Sequence, residues 1–234
     1  MTSPPLSPAG TSASQQPVRV WDLPTRAFHW LLVLCVLGLV ITGQIGGNAM
    51  RWHFSFGYCV LALLMFRVIW GLVGGRWSRF AHFVRGPGSV LRYLRGAGDV
   101  AESVGHNPLG ALSVLAMLGV LGLQVACGLV ADDEIANVGP LNRFVSSSVA
   151  ATATWWHKGP GKLLIILLVL VHVGAIVFYR VRRRQDLIGP MLRGDKLLPP
   201  GTPPSRDDGL TRSAALALVA ACAAVALSVA ALAN

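Results

Sequence analysis

The sequence predicts an all-α integral membrane protein, a four-helix bundle extended by one further transmembrane helix at its C-terminal end. Three observations predict it. Of the 234 residues, 53% are hydrophobic and only 13% are charged, too apolar a balance for an ordinary soluble domain of this size. Five apolar stretches, near residues 25 to 46, 53 to 73, 109 to 131, 157 to 180 and 213 to 233, each reach the roughly 20 residues that a helix needs to cross about 30 Å of hydrocarbon. Because lipid offers no partner to backbone N–H and C=O groups, each stretch is expected to be a helix. Finally, the charged residues are grouped by side.

That grouping decides what the formal net charge of +10 means. If the first helix leaves the cytoplasm, the inward flanks carry Arg19 and Arg26, then Arg76, Arg79, Arg85, Arg92 and Arg95, then Arg180 to Arg184, Arg193, Lys196, Arg206 and Arg212. The outward segments hold only Arg51, Arg143, Lys158 and Lys162. This is the positive-inside asymmetry, which sets the N-terminus inside and, after five spans, the C-terminus outside. The charge therefore reads as a partner for membrane lipid, not for nucleic acid.

Taken in order, residues 1–17 are uncharged and rich in Pro, Ser, Thr, Gln and Ala, a composition that cannot bury a core and is expected to be a disordered cytoplasmic tail. No small-residue cleavage pattern precedes the first apolar stretch, which reads as a retained helix and not a signal peptide. Asp22 and Pro24 mark its start, an acid and a proline both suiting a first turn. The inward connection from Gly74 to Asn107 is long and basic, turns at Gly86, Pro87 and Gly88, and is expected to lie against anionic headgroups. Asn107 and Pro108 read as the cap and first residue of the third helix. The outward segment from 132 to 156 opens on Asp132, Asp133 and Glu134 and closes on Trp155 and Trp156, residues suited to an interfacial belt. A membrane domain over 18–198 is followed by a Pro-rich linker, 199–212, and a fifth helix, 213–234, that contains no histidine and reads as an added anchor or a docking helix. Cys35, Cys59, Cys127 and Cys222 lie within apolar stretches and read as small hydrophobes without a disulfide. No Cys-x-x-Cys-His run is present, which excludes covalent c-type haem attachment.

Ionisable groups inside a membrane span are costly and face the bundle interior with a task. Four of the six histidines qualify. His29 falls near the inner start of the first helix, His53 at the outer start of the second, and His157 and His172 on the fourth. At about 1.5 Å and 100° per residue, the 15 residues between the last two place them about 22 Å apart and roughly 60° from a common face. Since the first helix runs outward and the fourth inward, His29 is expected to meet His172 near the inner leaflet and His53 to meet His157 near the outer. Two facing imidazole pairs at two levels is the arrangement that holds haem iron from both faces, and six-coordinate iron suits electron transfer. Gly57 and Gly161 follow His53 and His157 by four residues and would give a flat macrocycle room, or would simply allow close helix packing. Gly38, Gly43 and Gly174 have less support for the same role. Arg67 is the other intramembrane charge and reads equally as a partner for a haem propionate or as a snorkelling side chain. Arg26 and Lys158 are propionate candidates or interfacial cations. His82 and His106 fall in the basic connection and are expected to be solvated or to face headgroups.

Four segments together carry a resemblance: RVWDLPTRAFHW, RWHFSFGYCVLALLMFRVIWGLVG, GHNPLGALSVLAMLGVLGLQVACGL, and HKGPGKLLIILLVLVHVGAIVFYR with QDLIGPMLRG after it. Over roughly residues 18 to 198 the chain resembles the bacterial cytochrome b561 family, which includes b-type cytochrome subunits of nickel-iron hydrogenases. The resemblance implies a four-helix di-haem bundle with ligands from the first, second and fourth helices, residing in the bacterial inner membrane. It implies two non-covalent haem b groups with bis-histidine iron, His29 with His172 and His53 with His157, and electron transfer between quinone and a redox partner on the periplasmic side. Three other readings stand beside this one: a superoxide- or small-reductant:quinone oxidoreductase acting alone, a cytochrome subunit anchoring a dehydrogenase or hydrogenase, and a metal-ion transporter. Imidazole orientation is expected to come from backbone carbonyls one turn earlier.

Overall fold

The computed structural model describes residues 15–97 and 104–233. Residues 1–14 of the expected tail lie outside the described residues, and its last part is not unstructured: Gln16–Arg19 form a strand, β1, paired antiparallel with β2, Asp195–Leu198. The pairing is possible because Val18, Val20 and Leu198 bury a small apolar cluster with Trp21 and Val104.

The first long helix, α1, spans Leu23–Ile45, and Asp22 caps it by accepting the Thr25 N–H at 2.8 Å. It ends in a turn at Gly46 and Gly47, whose φ values of +67° and +51° lie in the left-handed region that glycine enters without a Cβ clash. The second long helix, α2, spans Met50–Val73. The basic connection then folds into two short helices, α3 (Phe80–Phe83) and α4 (Pro87–Leu94). Tyr93 of α4 meets Tyr179 hydroxyl to hydroxyl at 2.8 Å. As expected, Asn107 caps the next helix, α5 (Pro108–Val130), accepting from the Gly110 N–H at 2.7 Å.

The outward segment and the fourth span depart from expectation. Residues 147–158 form a helix of their own, α6 (Ser147–Lys158), and α7 runs from Pro160 to Arg182. Proline has no N–H to bond the preceding turn and its ring clashes there, so the ladder breaks at Gly159. His157 and His172 therefore sit on two successive helices, and Trp155 and Trp156 belong to α6. After α7 come a short helix α8 (Ile188–Arg193) and the last span, α9 (Gly209–Ala231). Among the described residues, five helical segments are long and apolar enough to cross a membrane, and the chain is an all-α membrane bundle.

At the bundle's centre lies α2. Its Val60, Leu63, Leu64, Phe66 and Trp70 pack with Phe28 and Cys35 of α1, Leu121 of α5, Ile165 of α7 and Cys222 of α9. The opposite faces stay apolar and exposed, as at Leu34, Ile41, Leu170 and Leu227, which is what a hydrocarbon surround requires. The starts of α1, α5 and α9 gather with the end of α2, α8 and the β-pair at one end, which carries most of the arginines. We call this the basic end.

The Pro-rich linker is bound tightly to that end. Ser205 donates its N–H to the Arg19 carbonyl at 2.7 Å and its hydroxyl to the Val20 carbonyl at 2.7 Å. Trp77 donates its indole N–H to the Pro203 carbonyl at 2.9 Å. Asp207, its side chain 6% exposed, accepts from Arg19 at 3.1 Å, Arg212 at 3.0 Å and the Leu23 N–H at 3.1 Å. Burial opposes ionisation of Asp207, but Arg212, the Leu23 N–H and Arg19 together outweigh it and hold the carboxyl below the usual carboxylate range. A carboxyl depressed in the fold contributes stability that is present at neutral pH and lost as pH falls through about 4 and below. Limited proteolysis of the linker in lipid nanodiscs is expected to begin only in that acid range, and Asp207→Asn is expected to be cut at pH 7. Equal resistance of both proteins at all pH values would rule out this anchor.

Candidate functional site

At the end opposite the basic one, His53 in the first turn of α2 faces His157 at the end of α6, ring centroids 6.0 Å apart and ring planes at 86°. Each ring is held by a neighbouring helix. The Nδ1 of His53 lies 3.1 Å from the Leu39 carbonyl of α1 and 3.4 Å from Thr42 Oγ1. The Nδ1 of His157 lies 2.8 Å from the Gln124 carbonyl of α5. A carbonyl oxygen only accepts, so Nδ1 carries the hydrogen in both rings and Nε2 keeps its lone pair. The Gln124 side chain closes a second bond, donating from Nε2 to the His157 carbonyl at 2.7 Å. The acceptors thus come from α1 and α5 and not from the preceding turn of each histidine's own helix. There the carbonyls are already spent on the ladder, and only helix–helix contact brings others close.

Small residues make this contact possible. A Cβ on Gly43 would lie 3.1 Å from His53 Cε1, and one on Gly128 would lie 2.8 Å from His157 Cε1. Gly57 borders open space, with nothing within 4 Å of where its Cβ would be. It lines a cavity of about 620 Å³ shared by both histidines, Gly43, Gly128 and Lys158. Gly161 packs against Gln124 of α5 and Trp156 of α6, where a Cβ would meet both side chains. Gly38 packs in the same way against Phe56.

Near the basic end His29 of α1 and His172 of α7 face each other with centroids 6.5 Å apart and planes at 51°. Trp30 stands edge-on to His29 at 5.0 Å. Here no carbonyl fixes the ring: His29 Nδ1 is buried without a partner. Gly174 has nothing within 4 Å of a Cβ. Arg26, one turn before His29, donates from Nη1 to the Leu192 carbonyl at 2.6 Å. Arg67 is 3% exposed, its guanidinium 4.8 Å from the Phe80 ring centroid and 5.8 Å from that of Phe83. Its guanidinium is buried under α3, the short helix that follows α2.

His106 corrects its expected position as well. Its ring lies against both Trp21, at 4.7 Å, and Phe83, at 4.6 Å. Burial, then the nearby Arg67, His172, His29 and Lys196, pull its pKa down to about 3 and keep the ring neutral. His82 stands edge-on to Trp77 at 6.3 Å, with its Nδ1 buried.

The pair spacings can be tested against a metal. An imidazole nitrogen sits about 2 Å from a bound metal and roughly 1.1 Å ahead of its ring centroid, so two axial rings on one iron stand roughly 6.2 Å apart. The observed 6.0 Å and 6.5 Å fall on either side of that value. Both spacings fit a planar iron cofactor, and the cavity beside Gly57 would give its rim room at the His53–His157 pair.

Residues 20–194 match the family described as prokaryotic cytochrome b561. The chain belongs to the cytochrome b561 family. Among curated proteins it is 22% identical over 213 residues to a probable Ni/Fe-hydrogenase B-type cytochrome subunit of Bradyrhizobium diazoefficiens, covering 76% of this chain and 85% of that one. It is 26% identical over 220 residues to the corresponding subunit of Azotobacter vinelandii, covering 77% and 88%. A third similarity, 31% over 116 residues, is to a probable Ni/Fe-hydrogenase 1 B-type cytochrome subunit of Escherichia coli, covering 38% and 49%. A cytochrome b561 of this kind is a multi-pass membrane protein that transfers electrons and carries haem b. Within its bundle, sequence reasoning singled out both histidine pairs, Arg67 and Gly57, and missed Gln124, Gly128 and His106. An amide in the apolar run LGLQVACGL was the available signal for Gln124.

Proposed function

We propose that this cytochrome carries two haem b groups, one between His53 and His157 and one between His29 and His172, and passes electrons between the two ends of the bundle. The supporting observation is the pair of ring spacings, each matching two imidazoles on one iron. Haem supplies one-electron iron chemistry when bound. Two axial imidazoles leave no open iron position, which favours electron transfer over oxygen binding. The Leu39 and Gln124 carbonyls hold the rings of one pair in a single tautomer, so little rearrangement is needed on a change of charge. Leu39, beside His53, is ten residues from His29 on α1, so the two levels differ by about 15 Å along that axis.

Residues 18–198 form the redox unit in this reading, followed by the Pro-rich linker and α9 as an added helix. The basic end faces the cytoplasm of a bacterial inner membrane, by the positive-inside argument. A redox enzyme on the periplasmic side is the partner of choice, in line with the relatives' description as hydrogenase subunits, and quinone or a second partner serves the other end. A small anionic reductant is the second reading, favoured by Lys158 and Lys162 at the mouth of the cavity. Among the described residues no group of three or more His, Cys, Asp or Glu side chains is placed to hold a bare metal ion, which favours haem over metal transport.

The test is electron passage across a sealed bilayer. Proteoliposomes with trapped ferricyanide and external dithionite are expected to lose internal ferricyanide at a rate proportional to protein, and protein lacking His29 or His53 to lose that rate. Rates equal to protein-free vesicles would contradict transmembrane transfer.

A further inference from the structure

The polar groups around His29 and His172 do not balance. Arg67, buried beside Phe80 and Phe83, leaves Nη1 without a hydrogen-bond partner among the described residues, and Asp22 acts on it electrostatically without a hydrogen bond between them. His106 Nδ1 is equally unpartnered, and so are Arg26 Nε and His29 Nδ1. The same Phe83 ring lies against both the Arg67 guanidinium and the His106 imidazole, at 5.8 Å and 4.6 Å. Phe66, next to Arg67, packs 6.3 Å from Phe28, which is next to His29. Arg67, His172 and His29 all lie close enough to act electrostatically on His106, so these groups gather around the basic-end histidine pair.

The described carboxylates at that end are already engaged. Asp22 accepts from the Thr25 N–H at 2.8 Å, the Trp70 indole at 3.2 Å and the Ser78 hydroxyl at 2.7 Å. Asp207 is engaged by Arg19, Arg212 and the Leu23 N–H. A buried guanidinium with an empty N–H is costly unless an anion meets it. A quinone carbonyl would accept a hydrogen bond but would add no negative charge to that of Asp22. A carboxylate does both, and charge-assisted bonds to a guanidinium are the stronger kind.

We propose that Arg67 and His106, assisted by Arg26 Nε, form a carboxylate seat that anchors the propionates of the haem held by His29 and His172. This rests on the haem reading above. Arg67 contributes the charge and His106, neutral, contributes an N–H from Nδ1. The seat makes the two ends unlike: one pair is oriented by carbonyls on its rings, the other through the cofactor's own carboxylates.

The experiment uses full-length His157→Ala protein, in which only the basic-end pair remains, stripped of haem in detergent and reloaded with haem b or its dimethyl ester. The ester has the same iron and ring but no carboxylate charge. The ester is expected to bind about 30-fold more weakly than haem b, the loss typical of truncating one partner of a buried charged hydrogen bond. Arg67→Gln in the same background is expected to bind haem b as weakly as the ester and to abolish the discrimination, with Arg67→Lys restoring part of it. In the two-haem protein, Arg67→Gln and His106→Leu are expected to lower the midpoint potential of one haem and leave the other unchanged. Equal binding of acid and ester, or undiminished discrimination in Arg67→Gln, overturns the seat while leaving the haem reading intact. If Arg67→Gln fails to assemble, the comparison of acid and ester on Arg67 protein decides alone. Failure of wild-type protein to bind haem at either pair overturns the haem reading itself, and the seat with it.

Discussion

Alanine at His53 or His157 is expected to remove one haem per chain and leave the other, and alanine at His29 or His172 to remove the one that remained. In the proposed reading each pair would hold one iron; the ring centroids stand 6.0 Å apart for His53 and His157 and 6.5 Å for His29 and His172. Deleting one imidazole would leave a large apolar cofactor with one protein ligand in place of two. The pairs lie at different levels of the bundle, so the loss is confined to one of them. Haem content and reduced-minus-oxidised spectra of the four single variants check the pairing. Loss of both haems from every variant, or pairing of His53 with His172, would contradict it.

Valine at Gly128 is expected to weaken the His53–His157 haem by about 10- to 100-fold, the range for groups that orient a metal-binding histidine. Its Cβ alone would come within 2.8 Å of His157 Cε1. The ring cannot simply retreat. Gln124 holds its Nδ1 at 2.8 Å and donates to the same residue's carbonyl at 2.7 Å, so moving the imidazole breaks the bond that fixes its tautomer. Gly119, on the same helix with nothing within 4 Å of a Cβ, is the control. Gly119→Ala is expected to keep both haems, and Gly128→Val to keep only the basic-end one. Full haem content in Gly128→Val would show that His157 does not depend on that packing.

The spans were legible because hydrophobic length is a property of local sequence: Leu23–Ile45 and Pro108–Val130 lie within two residues of the expected limits. The histidine pairing was legible for a related reason, since depth along a helix follows from residue count. The break at Gly159 was written in the Gly-Pro dipeptide, but the apolar run after it dominated the reading, and His157 was set on the wrong helix. Lateral contacts were not legible. That Leu39 and Gln124 would present carbonyls to His53 and His157 depends on how closely α1 and α5 approach, which glycines permit but do not specify. His106 was read as solvated or facing headgroups because its neighbours, Trp21 and Phe83, come from segments remote in sequence, and a residue in a basic loop carries no mark of them. The linker's docking was not legible either: Ser205 and Asp207 bind it to the start of α1, a contact that its prolines do not mark.

The pairing of four histidines around two irons is tested most directly by counting. A pyridine haemochrome assay on detergent-purified wild-type protein, set against quantitative amino-acid analysis, is expected to give about two b-type haems per chain. One haem per chain would leave one histidine pair without its assigned role, and none, in protein made with ample haem supply, would contradict the account.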